Sequence, residues 1–184
     1  MEQPRNERRY TYADYCTWDD GERWELIDGV AYMLAAPSEK HQRVSMNFTE
    51  QFLSLLSSNG RLYAAPFDVR LDADGEDDTV VQPDLVIICD RSKIDEKGCK
   101  GAPDLVIEIL SPSNTRYDMW VKFHKYMRAG VREYWMVNPD DGGVMVCMVR
   151  EGEFLTAMYD KTDTVPVGVL PGCEIDLENV FEDM

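Results

Sequence analysis

The sequence predicts a mixed α/β (α+β) fold, organised as a single domain over residues 1–184. Two nearly continuous apolar runs, 84–89 and 104–110, have the composition of strands that are covered on both faces. Two other segments, 38–56 and 115–129, repeat their apolar residues at helical spacing. A chain of 184 residues with 44% hydrophobic residues is long and apolar enough for one complete core.

The N-terminal part predicts a short helix, a hairpin and a longer helix. Thr11 begins a Thr-x-x-Asp pattern, which caps the first turn of a helix. The segment "RWELIDGVAYML" contains two strand-like runs around Asp28-Gly29, a pair that favours the tight turn of a hairpin. Ser38 is a helix cap, and Asn59-Gly60 is a stop signal. The apolar residues between them are Val44, Phe48, Phe52, Leu55 and Leu56.

The rest of the chain predicts further strands and one more amphipathic helix. Residues 61–71 are expected to be extended, and "DADGEDD" at 72–78 an acidic surface turn. After the two apolar strands, Thr115 and Asp118 form a second cap for a helix that ends at Ala129 before Gly130. A strand over 133–138, two more near 144–150 and 153–159, and a helical turn at "DLENVF" complete the prediction.

Charge and composition exclude several classes of protein. The net charge of −16 opposes non-specific binding to a polyanion, yet residues 116–132 carry five basic residues and one acidic residue. The five cysteines are scattered without a Cys-x-x-Cys pair, so they predict neither disulfides nor a zinc site. The polar N-terminus and the lack of a long apolar run predict a cytoplasmic protein with no membrane association.

Glu108 is the one charged residue inside the predicted strand "LVIEIL". An ionised carboxylate in an apolar interior costs several kcal/mol unless it is neutralised, ion-paired or bound to a metal. A structural salt bridge and a strand-end glutamate that faces water are the alternatives to a functional site.

Asp84 stands at the start of the other apolar strand, and pairing of the two strands would bring it close to Glu108. Two adjacent carboxylates repel each other unless a cation lies between them. Mg²⁺ is commonly held by one or two carboxylates, waters and a substrate phosphate. Asp104 is excluded, because four residues along a strand place it about 13 Å from Glu108.

Lys122 lies on the margin of the apolar stripe of the second helix, where a lysine can reach the sheet. The stripe consists of Met119, Trp120, Phe123, Tyr126 and Met127. Lys125, Arg128 and Arg132 are expected to point outward, and we expect Lys125 and Arg128 to face nucleic acid. A basic helix face that is merely solvated is the alternative.

Four segments together resemble the bacterial restriction endonuclease family of Uma type, a branch of the PD-(D/E)XK nuclease superfamily. They are "WELIDGVAYML", "QPDLVII", "PDLVIEILSPS" and "DMWVKFHKYMRAGVREYWMVNP", and they extend over nearly the whole chain. The resemblance implies an αβββαβ core with a mixed sheet, the N-terminal hairpin and C-terminal strands added to it. It also implies a metal-dependent phosphodiesterase site.

The same resemblance implies the composition of that site. Asp84, Glu108 and the backbone carbonyl of Ile109 would bind Mg²⁺, for which Mn²⁺ can substitute. The superfamily lysine two residues after the glutamate is Leu110 here. The ammonium of Lys122, on the following helix, would take its place.

Glu25 and His41 also lie at positions that resemble family motifs. Glu25 would complete a second metal site or hold the first metal ligands in place; a polar residue of a hairpin is the alternative. His41 is a supporting catalytic candidate, and a capping or surface histidine is the alternative.

The leading hypothesis is therefore a Mg²⁺-dependent endonuclease that acts on DNA, with a homodimer as the expected assembly because two strands have to be cut. The rival hypothesis is an interaction module that keeps the fold without catalysis. Binding of Mg²⁺ or Mn²⁺ distinguishes the two.

Overall fold

The computed structural model describes residues 8–56, 60–72, 75–111, 116–150 and 152–182, with the backbone alone for 116–118. The helices are α1 (Tyr12–Tyr15), α2 (Glu39–Leu55), α3 (Arg116–Ala129) and α4 (Leu177–Val180), and a 3₁₀ turn spans Arg91–Lys93. The strands are β1 (Trp24–Ile27), β2 (Val30–Met33), β3 (Arg61–Ala64), β4 (Val69–Arg70), β5 (Val80–Val81), β6 (Leu85–Ile88), β7 (Ile94–Asp95), β8 (Gly98–Lys100), β9 (Leu105–Ile109), β10 (Glu133–Val137), β11 (Val144–Arg150), β12 (Glu153–Tyr159), β13 (Thr164–Pro166) and β14 (Glu174–Asp176).

The main sheet has the strand order β12-β11-β10-β9-β6-β3. Strands β3, β6 and β9 pair antiparallel, whereas β9 and β10 are parallel and are joined through α3. A parallel neighbour needs such a crossover, because a tight turn can only reverse the chain. With α2 before β3, the element order is αβββαβ, which confirms the predicted fold class.

The N-terminal hairpin belongs to a second sheet, with the order β2-β1-β5-β4-β8-β7. Asp28 and Gly29 both have positive φ, 50° and 72°, as the predicted tight turn requires. Strand β4 lies in the segment that was predicted to be extended, whereas β5, β7 and β8 lie where no strand was predicted. These strands have two or three residues each, too few to produce a recognisable alternation.

Helix α2 covers one face of the main sheet. The Ser38 side chain accepts a hydrogen bond from the His41 backbone N–H, which confirms the predicted cap. Phe48 and Phe52 are fully buried, with ring centroids 6.1 and 6.0 Å from that of Trp135 on β10. This aromatic cluster fixes the position of the helix over the centre of the sheet.

Helix α3 covers the opposite face, where Tyr126 packs beside Tyr134. The helix ends at Ala129 and is followed by Gly130 at φ 98°, as predicted. One stripe residue was misassigned: Trp120 is 61% exposed, because the stripe is wider than the surface that the sheet offers. Of the predicted cap, Thr115 and the Asp118 side chain lie outside the described residues.

The C-terminal strands extend the main sheet to an edge at β12. The two strands β11 and β12 coincide with the predicted ranges. Phe154 and Met158 on β12 are 63% and 70% exposed, so the sheet face that α3 covers further in is open to solvent here. The β13–β14 pair was not predicted; it leads into α4, which packs on α2.

The strand register determines how Asp84 and Glu108 meet. Leu85 pairs with Ile107 in the antiparallel β6–β9 ladder, so the next opposed pair is Asp84 and Glu108. Side chains of directly opposed residues start about 5 Å apart at their Cβ atoms. Both carboxylates therefore lie at one end of the same strand pair.

Across the described ranges, the search for a helix of membrane-spanning length and apolarity finds none.

Candidate active site

A cavity of about 650 Å³ opens where the start of α2 meets the first residues of β6 and the last residues of β9. His41, Asp84, Glu108 and Lys122 all contribute to its lining. Four of the residues proposed from the sequence therefore meet in one place, although they come from two strands and two helices.

Asp84 is held at the mouth of the strand pair by two contacts. Its Oδ2 accepts a hydrogen bond of 2.7 Å from the Ile109 backbone N–H and lies 3.2 Å from His41 Nε2. Pro83 precedes it, so the chain enters β6 without a donor at that position. The aspartate is oriented before any ligand arrives.

Glu108 is buried, with 3% of its surface exposed. Its Oε1 accepts hydrogen bonds from Lys122 Nζ at 3.2 Å and from Tyr126 Oη at 2.5 Å. Burial raises the pKa of Glu108 to about 7, because desolvation and the charges of Asp84 and Glu25 outweigh the influence of Lys122. The isolated charge in the strand is thus ion-paired, and a solvent-facing strand end is excluded.

Lys122 is the cation that joins two carboxylates. Its Nζ lies 2.7 Å from Glu25 Oε1 as well as 3.2 Å from Glu108 Oε1. Burial alone would lower the pKa of Lys122, but the charges of Glu108 and Glu25 raise it above its ordinary value, so the ammonium stays charged. Tyr126 is one helical turn further along α3, and this spacing is why both donors reach Glu108.

Glu25 on β1 lies directly behind this ion pair and is fully buried. Its Oε1 also accepts a hydrogen bond of 2.8 Å from the Gln82 backbone N–H. Its Oε2 has no hydrogen-bond partner among the described residues. The position excludes a solvated hairpin residue and fits a residue that holds Lys122; whether Glu25 supports a metal stays a prediction.

His41 has its ring in the cavity, with 6% of the residue exposed, so it is not a surface histidine. Burial lowers the pKa of His41, but hydrogen bonding and charge from Asp84, with help from the Ile109 backbone, raise it above its ordinary value. When the ring is protonated, it forms an ion pair with Asp84.

The other basic and acidic candidates lie away from this cluster. Lys125 Nζ forms an ion pair with Asp28 of the hairpin, whereas Arg128 is exposed. Asp104 accepts hydrogen bonds from the Cys89 backbone at 2.7 Å and from Arg132 at 3.0 Å, at the far end of β9. Its expected exclusion from the site is confirmed.

Three contributors were missed at the sequence level. Tyr126 was assigned to the apolar stripe alone, although its spacing from Lys122 was a usable signal. Gln82 and Arg23 also line the cavity, and Arg23 Nε donates to Gln82 Oε1 at 3.0 Å. Arg23 and Gln82 come close to each other only because distant strands pair, and the sequence offers no local signal for that pairing.

The donor chemistry of the cavity fits a hard divalent cation. Asp84 and Glu108 line the cavity and Glu25 lies behind them, and the single ammonium of Lys122 is shared by Glu25 and Glu108. In the described part of the chain no group of three or more His, Cys, Asp or Glu residues forms a ready ligand set. Two carboxylates with backbone and water oxygens satisfy Mg²⁺, however, so this count does not exclude the ion.

Comparisons with known proteins agree with this picture. The family model Uma2, described as "Putative restriction endonuclease", matches residues 11–178. An uncharacterized protein from Synechocystis sp. (strain ATCC 27184 / PCC 6803 / Kazusa) is 27% identical over 154 residues, which cover 82% of this chain and 80% of that protein.

Among solved structures, the crystal structure of "a putative nuclease belonging to DUF820" from Anabaena variabilis ATCC 29413 has a TM-score of 0.76 and 20% identity. The match covers 93% of this chain and 97% of that one. At this identity the likeness shows the fold, which is that of restriction-endonuclease-like nucleases.

The raised pKa of Glu108 makes the stability of the metal-free protein depend on pH. Between its ordinary value of 4.5 and about 7, the folded state binds more protons than the unfolded chain, so stability decreases as the pH rises. Glu108→Gln removes this proton. The free energy of unfolding is measured with urea in the presence of a chelator, from about pH 5 to about pH 8. Over this range the parent should lose stability relative to the variant. At neutral pH the variant should be at least as stable as the parent.

His41 is present in both proteins, and the charge of Glu108 is a minor influence on its pKa beside burial and Asp84, so most of its contribution cancels in the difference. A stability difference that does not change with pH would contradict the assignment of a proton to Glu108.

Proposed function

The chain belongs to the Uma2 family, and from this membership we propose that it is a Mg²⁺-dependent endonuclease that hydrolyses phosphodiester bonds of DNA. The observation that carries the proposal is the convergence of Asp84 and Glu108 in one cavity, with the ammonium of Lys122 beside Glu108. These are the ligand types and the cation that phosphodiester hydrolysis requires.

The residues that would hold the metal are Asp84, Glu108 and the carbonyl of Ile109, with Mn²⁺ as a substitute for Mg²⁺. Bound there, the ion would lower the pKa of a water molecule and neutralise charge on the phosphate. The raised pKa of Glu108 supports this choice, because burial and the charges of Asp84 and Glu25 disfavour its ionised form and a bound cation would favour it.

The protein's own residues prepare the site for a negatively charged substrate. Lys122 presents a fixed ammonium at the cavity and stabilises charge that develops on the phosphate. Tyr126 and Glu25 hold Glu108 and Lys122 in place. His41 orients Asp84, and this positioning is its proposed contribution.

The exposed Arg128 and the adjacent Lys125 are the proposed DNA-facing residues of α3. A basic face offsets, over a limited area, the repulsion between DNA and a chain with a net charge of −16. We also propose a homodimer, since cleavage of both strands of a duplex needs two active sites.

A non-catalytic interaction module is the second candidate. The observation that favours it is that both carboxylates already have cationic partners, His41 for Asp84 and Lys122 for Glu108. Because these carboxylates are already paired, the protein needs no metal ion in the cavity in order to fold. Metal binding and cleavage therefore have to be measured together.

The first experiment is a plasmid-nicking time course with Mg²⁺, Mn²⁺ or a chelator, together with Mn²⁺ calorimetry. The parent should bind Mn²⁺ and nick DNA, and Asp84→Asn should reduce the rate by roughly 10²-fold or more, because it removes a proposed metal ligand. Asp104→Asn is the matched control at the other end of β9. A parent that binds neither ion and leaves DNA intact would establish the interaction module instead.

The role of Lys122 needs a double variant. Lys122→Met alone leaves Glu25 buried without its cation, which costs about 3–5 kcal/mol of stability. Glu25→Gln should therefore be the reference, and Lys122→Met should be added to it. Single-turnover cleavage should fall by about 10²-fold while the affinity for Mn²⁺ stays equal or rises.

Lys125→Met is the control for Lys122, because its ammonium is paired with Asp28 outside the cavity. Cleavage at the reference rate in the double variant would rule out Lys122 as the catalytic ammonium.

The DNA-facing surface predicts a change in salt dependence. Arg128→Gln should reduce the slope of log affinity against log salt by about one unit, since one phosphate contact is lost. Lys125→Gln should have a smaller effect, because Asp28 already engages this lysine. An unchanged slope for both variants, measured by fluorescence anisotropy in Ca²⁺, would mean that this face of α3 does not contact DNA.

A further inference from the structure

Arg23 is a cation of the cavity that forms no ion pair within the described part of the chain; on Asp68 its charge only partly opposes the effect of burial, which raises the pKa of that carboxylate. It lies immediately before β1 and lines the same cavity as Asp84 and Glu108. Its Nε donates to Gln82 Oε1 at 3.0 Å. Within the described part of the chain, its two terminal amino groups make no hydrogen bond and no ion pair, although the side chain is half-buried.

Gln82 holds Arg23 in a defined orientation. Gln82 Nε2 donates to Asp68 Oδ1 at 2.9 Å, and Tyr15 Oη donates to the same oxygen, also at 2.9 Å. Because a carboxylate only accepts hydrogen bonds when ionised, the amide nitrogen must face Asp68 and the amide oxygen must face Arg23. The guanidinium is thus anchored through Nε, and the opposite edge is left for another acceptor.

The same glutamine connects Arg23 to the proposed catalytic lysine. The Gln82 backbone N–H donates to Glu25 Oε1, which also accepts from Lys122. The positions of Arg23 and Lys122 are therefore coupled through one residue. Two cations at fixed positions in one cavity can bind two groups along a single phosphodiester backbone.

The other cations of the cavity are already engaged by carboxylates. Lys122 is shared by two carboxylates, and His41 lies beside Asp84. Arg23 makes no ion pair within the described part of the chain, so its terminal amino groups are the ones left to meet an anionic strand. A guanidinium suits this task, since its planar set of donors matches two phosphate oxygens.

We propose that Arg23 is the phosphate-binding residue of this cavity. It holds a phosphate of the nucleic-acid backbone next to the one that is cleaved, and Gln82 is its positioning residue. The hydrogen-bond partner of Arg23 is Gln82 rather than a proposed metal ligand, so its contribution is to binding and not to the chemical step. The identity of the ligand as nucleic acid rests on the proposed function.

The experiment measures the affinity of the full chain for a labelled DNA duplex by fluorescence anisotropy in Ca²⁺, at several salt concentrations. Arg23→Gln should weaken binding by about tenfold, as expected for loss of a charge-assisted hydrogen-bonded pair, and should reduce the salt slope by about one unit. Arg23→Lys should keep the salt slope but regain only part of the affinity, since the planar fork is lost.

Gln82→Met should weaken binding without a change in salt slope, because the charge of Arg23 remains while its orientation is lost. Arg150→Gln is the matched control, an exposed arginine at the end of β11 that does not line the cavity. The rate of single-turnover cleavage at saturating DNA should be the same for Arg150→Gln and the parent, and thermal unfolding should verify that each variant is folded.

Arg23→Gln binding that equals Arg150→Gln binding would overturn the inference, and it would do so even if the parent cleaves DNA. A parent that binds DNA through Arg23 but never cleaves it would overturn the endonuclease proposal alone. A parent that does not bind DNA would overturn both.

Discussion

The structure of this site depends on one buried ammonium. Lys122 on α3 bridges Glu25, from the hairpin sheet, and Glu108, from the main sheet. It thereby joins a helix to two sheets that share no strand. Neither carboxylate could stay ionised at this depth without a cation, and the lysine could not stay charged without them. Each charge of the cluster is therefore in contact with an opposite charge.

The buried cluster contributes more to the orientation of the site residues than to the stability of the fold. A buried ion pair adds little net stability compared with apolar residues of the same volume, so packing alone does not account for its presence. What it supplies is orientation, because three charged groups in contact allow few alternative side-chain positions. Asp84 lies beside His41 instead of Lys122, and both Asp84 and Glu108 line the cavity.

The sequence could predict those parts of the molecule whose signals are local. Ser38, the Asp28-Gly29 turn and Gly130 each act on neighbouring residues, and the corresponding boundaries were correct. The opposition of Asp84 and Glu108 was also accessible, because both follow from two strongly apolar strands that pair.

Contacts between distant segments could not be predicted. Arg23 and Gln82 are 59 residues apart, and Lys125 and Asp28 are 97 apart. Nothing near either residue indicates its partner, because such pairs arise only when whole strands and helices are assembled. Short strands such as β5 and β8 were not predicted for the same reason, since tertiary pairing rather than periodicity makes them extended.

Strand β12 has a consequence for how the protein behaves in solution. Its residues 154–159 carry no charge and no proline, the two devices with which an edge strand usually resists pairing with another chain. The protection comes instead from long-range repulsion, since each molecule carries a net charge of −16. That repulsion is screened by salt and vanishes near the isoelectric point of 4.4. Resistance to aggregation should therefore depend on the salt concentration and pH of the buffer as well as on the fold.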